Sequence, residues 1–308
     1  MDEVTARRRL GRIAAVCAVV AVLVAGCTSG DGSSGGASGA DGGGSDGEQA
    51  AMVRLSAESV HLLRVLQQER ISTVLDLVGL QDTLADIATL SFTRRETERA
   101  INGFNAAVAD GEGAGALYEG AVDALEELDV LRADVDGRGQ PRTLDELPFA
   151  TEIFDRYSDV VESLLDADAG AAADLAVSID DPVVRRGAEL ADIAQGQLEV
   201  TSQLQFRILG SLGDYGDPEW IREVASLQAT STRGRESVIE LADGTAYQDA
   251  AEQLETDLDA AGMAEAVDQL LRTGQGDFAE IIGSLSLPPD QGWPAFLDLV
   301  ADIMAAAG

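Results

Sequence analysis

Leu62, Leu66, Arg70, Thr73, Leu77, Leu80, Leu84 and Ile87 recur at steps of four and three, the spacing of one helix face. Arg70 and Thr73 interrupt an otherwise apolar stripe. A guanidinium keeps its charge at any ordinary pH, and left unpaired among apolar side chains it costs several kcal/mol. Two chemistries answer that cost. One is a small bound anion held between helices with a hydroxyl nearby. The other is a salt bridge to a carboxylate on a neighbouring helix, or a side chain that reaches out to solvent. A second seam reads Leu190, Ile193, Gln197, Thr201, Leu204 and Ile208, with Gln197 and Thr201 polar in mid-stripe and Glu199, Gln203 and Arg207 on its flanks. Two such seams facing each other suit a small polar pocket in a bundle, and equally a buried hydrogen-bond network.

Other chemistries lack their residues. His61 is the single histidine, and the two cysteines are Cys17 and Cys27, so no histidine-based nucleophile or zinc site is expected. The chain has no lysine, which removes phosphate-loop, kinase and Schiff-base chemistry. Asp166-Ala167-Asp168-Ala169-Gly170 hints at a calcium loop, but its glycine comes one place early and Val177 stands where the bidentate glutamate belongs. No catalytic residue, metal or cofactor is therefore expected. Arg185-Arg186 and Arg233/Arg235 read as surface partners of nearby acids. The net charge of −34 repels nucleic acid and anionic headgroups, so nucleic acid is not a partner. A local arginine site survives that field, which salt screens beyond about 8 Å.

The elements that must hold these residues are helices. Strand signals are missing, and from Glu48 onward the period is helical. The pattern predicts helices over 49–90, 93–109, 116–134, 143–176, 182–212, 218–241, 245–261 and 264–282. Asp181-Pro182 and Asp217-Pro218 each supply a cap and a first-turn proline. Residues 49–283 form one antiparallel, all-α helical bundle, followed by a proline-broken segment, 284–308, with an amphipathic helix near 295–304.

The N-terminus has its own chemistry. Arg7, Arg8, Arg9 and Arg12 precede an apolar run over 13–25, too short to span a membrane as a mature helix. Val24-Ala25-Gly26-Cys27 is similar to the bacterial lipoprotein cleavage box. It implies a signal peptide over 1–26 and lipidation of Cys27; an ordinary signal peptide or signal anchor is the alternative. Several acyl chains on one residue anchor a protein stably. The expected location is the extracytoplasmic face of the cell membrane. Export by general secretion or by a twin-arginine route is left open by Arg7-Arg8-Arg9-Leu10. Residues 27–48, rich in Gly, Ser and Asp, read as a tether that reaches roughly 25 Å.

Several segments resemble one family. Leu66-Gln67-Gln68-Glu69-Arg70-Ile71-Ser72 is similar to the first-helix motif L-Q-x-E-R-G-x-S of the nitrate- and nitrite-sensing domain. Arg94 to Ala100 with Phe104, Leu125 to Val135, and Phe154 to Leu165 resemble its later helices in order and spacing. The resemblance implies two stacked up-down-up-down four-helix bundles sharing long helices, with nitrate or nitrite held between helices by arginines. Arg70 matches the family's first-helix arginine. Ile71 replaces the family's glycine, and the later Glu-Arg pair reads Leu204-Gln205, which leaves Arg207 or Arg95 as the second arginine. The expected anion site is thus Arg70, Thr73, Arg95, Thr201 and Arg207. Homodimerisation through the long helices is a family-level expectation.

These residues support two functional readings. The first is a lipid-anchored sensory module for a small anion that passes its signal to a separate membrane protein, with no output segment of its own. The second is a bundle that works by protein contact and binds no small molecule. Arg70 paired to a carboxylate favours the second. Arg70 facing a polar cavity with Thr73 and another arginine favours the first.

Overall fold

The computed structural model describes residues 44–79, 90–111, 114–139, 143–178, 181–211, 217–273 and 291–307. The signal peptide, Cys27 and most of the tether lie outside the described residues, as do Leu80, Leu84 and Ile87 of the first stripe. Among the described residues there are helices and no strands, so the chain is an all-α helical bundle, as its periodicity predicts. None of the described helices is long and apolar enough to cross a membrane.

The first helix, α1, spans Gly44–Leu77. It begins inside the expected tether and stops well short of residue 90. Gly79 explains the stop, because its φ of 72° is left-handed and cannot continue a helix. The next helix, α2, spans Leu90–Asp110. The helix expected over 116–134 is a 3₁₀ turn, Ala114–Tyr118, then α3, Glu119–Leu125, and α4, Glu127–Gly137. The break falls at Glu126, whose N–H bonds back three residues to the Asp123 carbonyl. A long α5, Leu147–Ser178, follows.

Asp181 and Asp217 launch the next two helices as the sequence predicts. Asp181 Oδ1 accepts from the Val183 and Val184 N–H groups, at 2.7 and 3.3 Å, above α6, Pro182–Ser211. Asp217 Oδ1 accepts from Glu219 N–H at 2.8 Å above α7, Pro218–Ala242. These carboxylates satisfy donors that the first helical turn leaves free. Three shorter helices complete the chain: α8, Gln248–Ala261; α9, Met263–Thr273; and α10, Gly292–Ala307.

Three long helices, α1, α5 and α6, make the centre. Helix α2 packs on α1, and α3 and α4 pack on α5; on the other side α7 and α10 pack on α6, and α8 packs on α7 and α10. The pairs α1–α5 and α6–α7 run antiparallel. Arg70 of α1 meets Ser158 of α5 while Ser59 meets Asp168, and Gln197 of α6 meets Gly234 of α7 while Arg207 meets Trp220. One apolar core is continuous through both groups. The C-terminal segment belongs to it, because Trp293, Phe296, Leu297, Val300 and Met304 of α10 are buried. Helix α10 approaches α6 closely at Gly187, where an added Cβ would lie 2.3 Å from Met304 Cγ and from the Tyr247 hydroxyl.

Candidate functional site

Glu69 and Arg70 are neighbours on α1, and both are fully buried. Consecutive helical residues point about 100° apart. The two charges accordingly enter different inter-helix spaces.

Arg70 points toward α5 and α6. Its Nη1 donates to Ser158 Oγ at 2.7 Å and to Glu199 Oε1 at 2.9 Å. Its Nη2 donates to Glu199 Oε2 at 2.8 Å and to Ser202 Oγ at 2.7 Å. This is a two-pronged arginine–carboxylate fork with a hydroxyl on either side. The guanidinium carbon lies 4.3 Å above the centre of the Phe154 ring, and Phe154 stacks on Phe206 with ring centres 3.8 Å apart. Gln67 and Gln203 donate their side-chain amides to the same Glu199 carboxylate, at 3.2 and 2.9 Å. The result is a buried oxyanion cradle whose oxyanion is the protein's own glutamate.

Glu69 points toward α2 and α4. Arg132 Nε and Nη2 donate to its two oxygens at 2.7 and 2.8 Å, and the Tyr157 hydroxyl donates at 2.8 Å. Arg132 also pairs with Glu98, and Arg94 Nε stands 3.9 Å from Glu69 while its Nη1 holds Asp136. Burial pushes the Glu69 carboxyl up, but the Arg132 hydrogen bonds and charge outweigh it and hold the group below the usual range.

The five residues predicted for an anion site have separate surroundings. Arg70 is at the centre just described. Thr73, one turn on, shares a 3.3 Å hydrogen bond with the Tyr157 hydroxyl and so joins the Glu69 network. Arg95 is exposed on α2 and donates to the Ser91 carbonyl. Thr201 donates to the Gln197 carbonyl of its own helix at 2.8 Å. Arg207 reaches Glu223 at 3.4 Å and Asp155 at 4.0 Å. Among the described residues, none of Arg95, Thr201 and Arg207 shares a hydrogen-bond partner with Arg70. The partners that Arg70 does have, Glu199, Ser202 and Ser158, are not among the predicted five. Glu199 and Ser202 are three apart beside the polar positions of the second seam, which is the signal that could have found them.

The family described as nitrate and nitrite sensing matches residues 61–307. The chain belongs to that family. Comparison with curated proteins and with solved structures gave no match. The family is a sensory one and not enzymatic, which fits a site whose charged groups are arginines bound to carboxylates. The matched span runs from just before Glu69-Arg70 to the end of α10, so the nitrate- and nitrite-sensing unit includes every helix described above except the start of α1. In this sensing domain the Glu-Arg pair of the first helix has a structural reading. Glu69 ties α1 to α4, and Arg70 ties α1 to α5 and α6.

Proposed function

We propose that this chain is an extracytoplasmic sensory module for nitrate or nitrite, anchored to the membrane through lipidated Cys27 and acting on a separate membrane signalling protein, with pairing of two copies its expected assembly. The anion site in this reading is the Arg70 fork. The observation that carries it is the two-pronged contact of a fully buried Arg70 with Glu199, between two serine hydroxyls. Nitrate and nitrite are planar anions that present two oxygens as a carboxylate does, so the fork, the serines and the Phe154 ring suit them equally. Binding then means displacing Glu199. Glu199 is carried by α6, so its release loosens the α1–α6 tie and gives the ligand a mechanical consequence. Arg207 rides on α6 beside Phe206 but is held by Glu223 and Asp155, so it is not required. Thr73, Thr201 and Arg95 are held by other groups and are not required.

A second reading has its own support. Both Nη nitrogens of Arg70 already hold two partners each, as in a purely structural ion pair. The protein would then act by contact alone. Thermal unfolding in millimolar nitrate, nitrite or chloride separates the two, with Arg70→Ala and Glu199→Gln alongside. The sensor reading expects a stabilisation by nitrate or nitrite that chloride does not give. It is absent in Arg70→Ala and larger in Glu199→Gln, where the internal competitor is weaker. At a hundredfold excess over Kd the shift is worth about 2.7 kcal/mol. No anion response in any of the three proteins establishes the contact reading.

A further inference from the structure

Toward the N-terminal end of α1, the same three central helices bring together a different set of groups around a partly open pocket. Asp168 of α5 is 4% exposed and accepts from Ser59 Oγ at 2.8 Å and from the Tyr118 hydroxyl at 2.7 Å. It lines that pocket, a void of about 10 Å³, together with Ser56 of α1 and Asp192 and Gln195 of α6. The rest of the lining is four alanines, whose short side chains leave the space between α5 and α6 unfilled. Gln195 is 1% exposed, and its Oε1 has no hydrogen-bond partner among the described residues. No arginine pairs with Asp168 or Asp192 among those residues, and no basic side chain lines the void.

A buried carboxylate without a cation and a buried amide oxygen without a donor are both costly. They share one pocket, and a single cation would answer both, giving the carboxylate a counter-charge and the amide oxygen a ligand contact. The volume is close to the minimum for one water-sized sphere. A second carboxylate, Asp192, and a hydroxyl, Ser56, are at its wall. We propose that this void is a binding site for one dehydrated hard cation of the sodium or calcium class, held by oxygens of Asp168, Asp192, Gln195 and Ser56. Hard cations of this class take carboxylate, amide and hydroxyl oxygens, whereas magnesium keeps its water shell and needs more room. The described residues hold no cluster of three or more His, Cys, Asp or Glu placed for a metal, so the site has two carboxylates at most. With so few charged ligands its affinity belongs to the weak, submillimolar-to-millimolar group. It differs from the sequence hint at 166–170, because Asp168 sits inside a helix and its co-ligands come from α1 and α6.

The test is thermal unfolding of the full-length protein at fixed ionic strength in choline chloride, with sodium chloride or calcium chloride replacing part of it. Magnesium chloride at the calcium concentration measures what the acidic surface alone does. The expected result is a stabilisation by sodium or by calcium beyond the magnesium value, roughly 5–10 °C at a hundredfold excess over Kd. Which salt gives it identifies the ion. Asp168→Asn and Gln195→Met should each abolish the excess, with Gln195→Met keeping side-chain length and every charge. The exposed Glu162→Gln should keep it. An equal response to all three salts, or an excess that survives in both Asp168→Asn and Gln195→Met, overturns the site.

Discussion

The buried carboxylates packed around α1 are treated in two ways. At the level of Glu69 and Arg70, Glu69 has Arg132 and Glu199 has Arg70, each in a two-pronged contact. At the level of Ser59, Asp168 has two hydroxyls. Glu69, Glu199 and Asp168 are all buried, so the contrast is electrostatic. Guanidinium pairing holds Glu69 below the usual carboxylate range despite burial. At Asp168 burial dominates and Asp192 adds to it, and hydrogen bonds from Tyr118 and Ser59 offset them only in part. The carboxyl is pushed up to about 7. One level is therefore a layer of guanidinium–carboxylate pairs, and the other, without a guanidinium, is free to exchange a proton or a cation.

The largest expected effect comes from breaking the ion-pair layer. Arg70→Met leaves the Glu199 carboxylate buried beside Gln67 and Gln203 alone, and removing one partner of a buried pair costs about 3–5 kcal/mol. Urea unfolding should show that loss. The double variant Arg70→Met/Glu199→Met should recover most of it, since two apolar side chains replace the pair without a stranded charge. A double variant as unstable as the single would mean that Arg70 acts through Ser158, Ser202 and Phe154 more than through Glu199.

How much of this contrast could be read from the chain depends on distance along it. The caps at Asp181 and Asp217 are local, and they are where the sequence puts them. Arg70 is visible because it breaks an apolar stripe on its own helix. Its partner is not, because helix period says which face Glu199 occupies and nothing about which helix that face meets. Gly79 does not read as a stop, since a glycine is tolerated inside a helix and its left-handed φ is a property of the folded backbone. Asp168 stands out least. In sequence it figures only in the rejected calcium-loop hint at 166–170, and only the fold surrounds it with Tyr118, Ser59 and alanines.

A smaller effect sharpens the other level. Asp168 binds its proton more tightly when folded than when unfolded, where its pKa is near 3.8. Between about pH 4 and pH 7 the native state thus holds the extra proton, and stability falls as pH rises through that window. Below it and above it Asp168 adds no slope. In EDTA and choline chloride, the unfolding free energy of the wild type should drop across pH 4–7 by a few kcal/mol from this group. Asp168→Asn should be flatter over the same range. Parallel profiles for the two proteins would show that Asp168 is ionised throughout and that the void is better hydrated than its lining suggests.

The smallest effect compares two serines. Ser202 accepts from a guanidinium that stays charged at every accessible pH, so Ser202→Ala should cost about 1–2 kcal/mol with little pH dependence. Ser59 donates to Asp168, and that hydrogen bond is strongest when the carboxylate is ionised. Ser59→Ala should cost a similar amount at pH 8 and distinctly less at pH 5, where the protonated carboxyl needs its donors less. Chemical unfolding of both variants at the two pH values decides it. If the Ser59→Ala penalty is as constant as that of Ser202→Ala, Asp168 does not change its protonation between them, and the two levels are electrostatically alike after all.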